Sequence, residues 1–296
     1  MLHLETVADV RAACERARGE GRRVGLVPTM GYLHAGHRSL MRAARAACDF
    51  VVVTIFVNPL QFGPNEDLDR YPRDLVGDLA QCEREGVDCV FAPSVTEMYP
   101  RPPRTTVHVS GLTEAMCGGA RPTHFDGVTT VVTKLFSIVG PCTAFFGRKD
   151  AQQLAVVRRM TEDLNLPVAV VGCPLVREAD GLALSSRNAY LRAEERAAAP
   201  VLFAALRRAG DAVIAGERDP RRLVDAVRET VAEEPLVALE YVEVRDAHEL
   251  EPVDLLTDDR DVLVAVAARI GSTRLIDNVG ITIRGGAVAV DLGRTA

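Results

Sequence analysis

Two histidines with a glycine between them, His34 and His37, are the residues whose types and spacing most directly suggest chemistry. The apolar residues 24–27 before them predict a buried strand, and the Ala/Arg-rich residues 39–48 after them predict a helix. A strand, a glycine-containing loop and a helix direct backbone N–H groups towards a phosphate. Three residues apart at the start of a helix, the imidazoles would share one face, which suits a polyphosphate whose charge rises during reaction.

Two other interpretations of this loop stay open on the local pattern. Histidines in a glycine-rich turn also occur in ordinary surface turns, which this pattern predicts about as well as nucleotide binding. A metal site is less favoured, because no cluster of cysteine, histidine and carboxylate residues lies nearby at ligand spacing.

Composition favours a globular protein of two domains. The chain has 296 residues, of which 48% are hydrophobic, whereas a domain usually contains roughly 150 residues. The net charge of −6, with no long basic block, argues against a nucleic-acid partner. Seven scattered cysteines without C-x-x-C spacing indicate reduced thiols, and neither a signal peptide nor a membrane-length apolar run is present. We therefore expect a cytoplasmic protein with no membrane partner.

Strands and helices alternate from residue 22 to about residue 176, which is typical of a doubly wound α/β domain with a parallel sheet. After residue 187 the pattern changes to helices at 193–217 and 220–233 and then to strands. We therefore predict a Rossmann-like domain, residues 1–187, and a smaller α+β domain, residues 188–296. We also predict an edge strand at 105–109 and a long irregular loop at 118–127.

Polar residues follow several of the predicted strands. Asn58 and Gln61 come after the strand at 49–57, residues 148–150 (RKD) come after the strand at 143–147, and residues 185–187 (SSR) form a further polar loop. Ligands of open α/β sheets bind beyond the carboxyl ends of the strands. Lysine, arginine, histidine and hydroxyl groups are suited to a nucleoside triphosphate, and glutamines suit a small substrate with hydroxyl and carboxylate groups.

The histidine segment, residues 28–37 (PTMGYLHAGH), resembles the HxGH or "HIGH" signature of a nucleotidyltransferase superfamily. Further matching segments follow in order along the chain: 55–62 (IFVNPLQF), 71–73 (YPR), 121–125 (RPTHF), 145–147 (FFG), 149–150 (KD), 152–154 (QQL) and 184–188 (LSSRN). Together they resemble the pantothenate synthetase (pantoate–β-alanine ligase) family over nearly the whole chain.

The resemblance implies a two-step ligation. Pantoate would attack the α-phosphate of ATP, with Mg²⁺ assisting, to give pantoyl adenylate and pyrophosphate. The amine of β-alanine would then displace AMP and give pantothenate, a precursor in coenzyme A biosynthesis. The family also implies a homodimer whose C-terminal domain acts as a lid.

The resemblance also implies roles for individual residues. His34, His37, Lys149 and Arg187 would be catalytic, with His37 as the proton donor, and Gln61 and Gln153 would bind pantoate, Gln61 also binding β-alanine. The residues that would bind ATP are Met30, Gly31, Tyr32, Leu33, His34, Ala35, Gly36, His37, Gly147, Arg148, Lys149, Asp150, Val176, Leu184, Ser185, Ser186 and Arg187.

Three departures from the family pattern concern the site. Arg148 stands where an acidic residue is usual, and Ala151 stands where an aromatic residue is usual. Gly77 precedes Asp78 where the family often has consecutive acidic residues, so we leave the metal ligands unassigned.

Two alternative functions stay open from the sequence. One is a small-molecule adenylyl- or cytidylyltransferase of the same superfamily, and the other is a non-catalytic nucleotide-binding or RNA-binding module. Arg121 and His124 have two interpretations: they reach the acyl end of the substrate, or His124 bonds within its own loop.

Overall fold

The computed structural model describes residues 1–64 and 66–296, which fold into two compact units. The first unit contains Met1–Arg148 and Val156–Cys173, and the second contains Lys149–Ala155 and Pro174–Ala296. The sequence predicts a substrate-binding domain, residues 1–187, and a lid domain, residues 188–296. These boundaries and roles stay a prediction.

A six-stranded parallel sheet forms the centre of the first unit. Its strands are β1 (Leu2–Leu4), β2 (Val24–Thr29), β3 (Phe50–Ile55), β4 (Cys89–Phe91), β5 (Cys142–Gly147) and β6 (Val168–Cys173), in the order β1-β4-β3-β2-β5-β6. β3 is apolar on both faces, as a central parallel strand must be. The chain order reverses at β2, whose neighbours are β3 and β5, and ligands of such sheets bind beyond the strand ends at this reversal.

Helices connect these parallel strands. They are α1 (Val7–Gly19), α2 (Ala35–Ala47), α3 (Leu75–Arg84), α4 (Val95–Met98), α5 (Met116–Ala120), α6 (His124–Val139) and α7 (Ala151–Asp163), of which α7 begins in the second unit and ends in the first. α1 packs with α6 and α2 packs with α3. A buried cluster that includes Val27, Met41 and Val53 joins α2 to the sheet. The predicted Rossmann-like, doubly wound fold class is confirmed.

The second unit has an antiparallel sheet covered by helices. The helices are α8 (Ala193–Ala198), α9 (Val201–Ile214) and α10 (Pro220–Ala232), and the sheet strands are β8 (Val237–Asp246), β9 (Arg260–Ile270), β10 (Thr273–Arg284) and β11 (Ala287–Asp291), in the order β11-β10-β9-β8. β7 (Val176–Arg177) forms a separate parallel pair with β12 (Arg294–Thr295). The apolar faces of α9 and α10 pack on the sheet around Leu206, Leu223 and Val264. The smaller α+β part is therefore confirmed.

Three local predictions were wrong. Residues 105–109 form no strand, because side chains of α6 satisfy the backbone there: Val107 N–H donates to Thr130 Oγ1, and Val107 C=O accepts from Thr129 Oγ1. The predicted loop at 118–127 contains the end of α5 and the beginning of α6. The predicted helix at 193–217 is divided into α8 and α9 at Pro200, which has no N–H to continue the helical hydrogen bonds.

None of the described helices is both long and apolar enough to cross a membrane. The seven cysteines are free thiols, six of them buried, and burial raises the pKa of Cys82, Cys89 and Cys142 to about 12. The prediction of reduced cysteines therefore agrees with the structure.

Candidate active site

The histidine loop, residues 30–37, connects β2 to α2. α2 begins at Ala35, four residues earlier than predicted, because His34 acts as its N-cap. His34 Nδ1 accepts the N–H of Gly36 at 3.2 Å, and His37 Nδ1 accepts the N–H of His34 at 3.3 Å. The ring centroids lie 4.0 Å apart, which confirms the predicted pairing.

These two hydrogen bonds determine where the ring protons lie. An imidazole whose Nδ1 accepts a hydrogen bond carries its neutral-state proton on Nε2. His34 and His37 are both half-buried, and both therefore present an Nε2–H donor. Two adjacent N–H donors at a helix N-terminus can bind an anionic oxygen and can transfer a proton to it.

Gln61 lies at the end of a single 3₁₀ turn, Pro59–Gln61, which residues 56–58 connect to the end of β3. Its side-chain oxygen accepts from Asn58 Nδ2 at 3.1 Å, and its Nε2 lies 3.2 Å from Met30 Sδ. Asn58 is buried and also donates to Gly127 C=O, while it accepts from the hydroxyl of Tyr99 at 2.9 Å. The structure thus brings the predicted pantoate residue Gln61 against the histidine loop.

A close helix approach supports this turn. A Cβ added to Gly127 on α6 would lie 2.3 Å from Leu60 C=O and 2.6 Å from Gln61 Cα. Only glycine therefore allows α6 to lie against the Gln61 backbone. Burial raises the pKa of Tyr99 to about 12, so its hydroxyl stays a donor to Asn58.

Arg121 and His124 hold Gln61 by its backbone. His124 Nδ1 lies 2.8 Å from Gln61 C=O, and Arg121 donates to the same oxygen at 3.2 Å. Arg121 also pairs with Glu66 and donates to His124 Nε2, which identifies His124 Nδ1 as the protonated nitrogen. Burial would raise the pKa of Glu66, but the Arg121 hydrogen bond and charge lower it overall. His124 therefore bonds Arg121 of its own loop and also the backbone of Gln61, and a contact with the acyl end of the substrate stays a prediction.

Arg177 organises the predicted nucleotide residues of the second unit. All five of its N–H groups have acceptors: Asp277 Oδ2 at 2.6 Å and Oδ1 at 3.0 Å, and the carbonyls of Leu292, Gly181 and Asn278. Its guanidinium also lies 4.2 Å from the centre of the Phe203 ring. Sequence reasoning did not identify this residue, which directly follows Val176.

The contacts around Arg177 bring several predicted ATP residues together. Leu184 N–H donates to Val176 C=O at 3.0 Å, and Asn278 Nδ2 donates to Lys149 C=O at 2.8 Å. Burial raises the pKa of Asp277, and the positive charges of Arg177 and Lys149 oppose that rise. Val176 thus bonds Leu184 directly, and the adjacent Arg177 is linked to Lys149 through Asn278 on β10.

The serine–arginine segment continues from this point as a 3₁₀ helix, Ser186–Tyr190, capped by Ser185. Ser185 Oγ accepts the N–H of Arg187 at 3.3 Å. Ser186 is buried, whereas Ser185 and Arg187 are half-buried.

The remaining predicted residues are divided between the units. Gly147 ends β5 and Arg148 follows it in the first unit, while Asp150 and Gln153 belong to the second. A Cβ added to Gly147 would meet no atom within 4 Å, so packing does not require glycine there. Among the described residues no group of three histidine, cysteine or carboxylate side chains is arranged to hold a metal ion.

Comparison with known proteins identifies the family. A family model of pantoate-beta-alanine ligases matches residues 3–280. The chain belongs to this family. The pantothenate synthetase of Heliobacterium modesticaldum is 57% identical over 280 residues, which are 95% of this chain and 99% of the relative.

Solved structures of pantoate-beta-alanine ligases share the fold. The pantothenate synthetase of Thermus thermophilus is 48% identical with a TM-score of 0.88, over 94% of this chain and 98% of that one. The pantoate-beta-alanine ligase of Francisella tularensis, crystallised with beta-gamma ATP and beta-alanine, is 30% identical with a TM-score of 0.78, over 94% and 97% of the two chains.

Proposed function

We infer that this chain is an ATP-dependent ligase that joins (R)-pantoate to β-alanine and releases AMP and pyrophosphate. The observation that carries this inference is the pair of imidazoles at the N-terminus of α2, with both Nδ1 atoms fixed by backbone N–H groups. The family match over residues 3–280 supports the same reaction. Its product is pantothenate, a precursor of coenzyme A.

The first step is the formation of pantoyl adenylate. A carboxylate oxygen of pantoate attacks the α-phosphorus, and the bond from that phosphorus to the bridging oxygen of pyrophosphate breaks. Negative charge then accumulates on the leaving pyrophosphate. The Nε2–H groups of His34 and His37 stabilise this charge, and His37 can donate its proton to a phosphate oxygen.

Other residues of the proposed ATP site act on the nucleotide. Lys149, Ser185, Ser186 and Arg187 supply charged and hydroxyl donors to the phosphates, as phosphoryl transfer requires. The backbone of Val176 contacts adenine, and the open space at Gly147 leaves room for the nucleotide. The proposed ATP site further includes the segments 30–37, 147–150 and 184–187.

Pantoate and β-alanine bind beside the histidine loop. Gln61 binds the hydroxyl and carboxylate groups of pantoate together with Gln153, and Gln61 also orients β-alanine. In the second step the amine attacks the acyl carbon, the bond to AMP breaks, and the amine loses a proton. Because an acyl adenylate is already activated, the orientation of the two reactants supplies much of the rate.

Three further assignments belong to this proposal. Mg²⁺ enters with ATP, because this ion commonly binds substrate phosphates and retains several waters. Residues 188–296 act as a lid on a substrate-binding part formed by residues 1–187. The enzyme works in the cytoplasm as a homodimer.

The deciding experiment measures AMP release from ATP with pantoate alone, with β-alanine alone and with both. Sustained AMP release only with both substrates supports the ligase. Diphosphate release with a phosphorylated alcohol as acceptor, without an amide product, would instead identify an adenylyl- or cytidylyltransferase.

His37→Ala tests the proton donor. We expect adenylate formation to fall by about 10²–10⁴-fold, the range typical of general acid–base groups. Activity within threefold of the parent would show that His37 is not the proton donor. His108→Ala is the matched control, since His108 pairs with Asp126 on the surface of the first unit.

A further inference from the structure

α3 contacts the histidine loop through a buried carboxylate. Asp78 on α3 is 2% exposed. Its Oδ2 accepts the N–H of Tyr32 at 2.8 Å, and its Oδ1 accepts the N–H of Leu33 at 2.7 Å. One turn later, Gln81 Nε2 donates to Leu33 C=O at 3.0 Å. Three hydrogen bonds with side chains of one helix thus fix three consecutive peptide groups, those that join residues 31 to 34.

The backbone of the loop shows why such an anchor is required. Gly31 has a φ of 80° and Tyr32 a φ of 51°, so two successive residues are left-handed. For a residue with a side chain such as Tyr32, this conformation costs on the order of 1 kcal/mol and persists only when its surroundings impose it. Successive N–H groups in turns of this kind form an anion-binding concavity. Here the anion that they bind is the Asp78 carboxylate.

Gly31 packs closely against neighbouring side chains, and the same part of the loop also borders a cavity. A Cβ added to Gly31 would lie 2.9 Å from Asp78 Oδ2 and 3.0 Å from Ile55 Cγ2. Met30, Gly31 and Asp78 also line a cavity of about 310 Å³ in the first unit. If the hydrogen bonds to Asp78 were lost, residues 31–33 would therefore have space into which they could move.

We propose that Asp78 and Gln81 are positioning residues that hold residues 32–33 so that His34 and His37 present their Nε2 atoms to the phosphates of ATP. The link is short, because Leu33 directly precedes His34, whose N–H is the group that orients His37. A displacement of Leu33 moves the N-cap and, through it, both imidazoles. The catalytic part of this proposal rests on the proposed ligase function, whereas the positioning of the rings does not.

The first test is Asp78→Asn. The amide keeps the shape of the side chain, but its NH₂ group faces a backbone N–H and cannot accept from it, so one of the two bonds is lost. We expect kcat for AMP formation to fall by about 10- to 100-fold, because a misplacement of about 1 Å costs about that much. The KM values for pantoate and β-alanine should stay close to those of the parent.

The second test observes the rings without substrates. Imidazole ¹⁵N–¹H spectra distinguish an Nδ1 acceptor from an Nδ1–H donor. In Asp78→Asn the signals of His34 and His37 should shift, while those of His3, His108 and His248 should stay unchanged. Gln81→Ala removes only the hydrogen bond from this half-buried side chain to Leu33 C=O and should produce the same shifts with a smaller fall in kcat. This second variant keeps the test valid if Asp78→Asn folds poorly.

Asp74→Asn is the matched control on the same helix. Asp74 caps α3 by accepting the N–H of Gly77 at 3.0 Å, and asparagine is an equally good N-cap. This variant should leave the histidine signals and kcat unchanged. Unchanged histidine signals in both Asp78→Asn and Gln81→Ala would overturn the proposal, whatever the activity. If the parent itself released no AMP, the ligase function would fail, and the spectra would still decide whether α3 positions the rings.

Discussion

Two buried carboxylates, one in each unit, support candidate active-site segments in different ways. Asp78 and Asp277 are 2% and 3% exposed, and burial raises the pKa of both. Asp78 accepts two backbone N–H groups of one short loop, whereas Asp277 pairs with the guanidinium of Arg177 across 100 residues of sequence. The first arrangement determines the conformation of a loop, and the second joins distant segments. We therefore expect substitutions at Asp78 to affect catalysis most and substitutions at Asp277 to affect stability most.

The largest expected effect is on the stability of Asp277→Ala. Removing one partner leaves the other charge buried without compensation, which typically costs about 3–5 kcal/mol. Urea unfolding followed by circular dichroism measures this loss. The double variant Arg177→Met/Asp277→Leu should lose less than the sum of the single variants, since both charges are gone. A loss below about 1 kcal/mol for Asp277→Ala would contradict the role given to this pair.

Two glycines provide a matched test of the comparison. A Cβ at Gly181, with a φ of 94°, would lie 2.0 Å from Phe203 Cδ1, beside the ring that stacks on Arg177. A Cβ at Gly31, with a φ of 80°, would approach Asp78 instead. We expect each alanine variant to lose about 1–3 kcal/mol from strain, with the larger loss in Gly181→Ala because its neighbour is a ring carbon.

Activity should show the opposite order in the glycine variants. Gly31→Ala should lower kcat for AMP formation more than Gly181→Ala does, after both are assayed well below their unfolding temperatures. If Gly181→Ala proved the less stable and also the less active enzyme, the distinction between a loop-shaping and a segment-joining carboxylate would not hold.

The smallest expected effect concerns pH. The hydrogen bonds from Arg23 lower the pKa of surface Asp49 from 3.8 to about 2. Its contribution to stability is therefore present above pH 3.8 and is lost as the pH falls through about 2. For Asp78 the raised pKa reverses the sign: its contribution is complete below the unfolded pKa and is lost as the pH rises through the folded pKa.

Urea midpoints measured from pH 2 to pH 7 check these signs. The stability difference between the parent and Asp49→Asn should shrink towards acid, and the difference between the parent and Asp78→Asn should grow towards acid. If the stability difference from the parent changed with pH in the same direction for both variants, burial would not be the dominant influence on the pKa of Asp78.

The sequence was sufficient for the features that depend on local patterns. Apolar runs predicted β2, β3 and β5, and the alternation of strands and helices predicted a parallel sheet, because the residues concerned are neighbours in the chain. The pairing of His34 with His37 followed from helical spacing alone. The boundary of α2 was less accurate, since a histidine N-cap is not among the usual capping residues.

The features that depend on distant partners could not be predicted in this way. Nothing near Arg177 indicates that Asp277 will accept its hydrogen bonds, and nothing near residues 105–109 indicates that threonines of α6 will replace a neighbouring strand. Asp78 carried one signal: it lies four residues before the buried Cys82, and so on the inward face of α3. A carboxylate on that face is expected to be buried, and a buried carboxylate must accept hydrogen bonds from nearby N–H groups.

The hydrogen bonds of Arg177 have a consequence for synthesis on the ribosome. Its acceptors lie at Gly181, at residues 277–278 and at Leu292. While the segment around Val176 and Leu184 is already outside the ribosome, most of these acceptors have not yet been translated. Domains generally fold as units during synthesis, so this part of the proposed ATP site should become ordered only after β10 and the segment before β12 emerge. Protease resistance around residue 180 would measure that delay, compared between stalled nascent chains in which residue 292 is still inside the ribosome and chains in which a C-terminal extension places it outside.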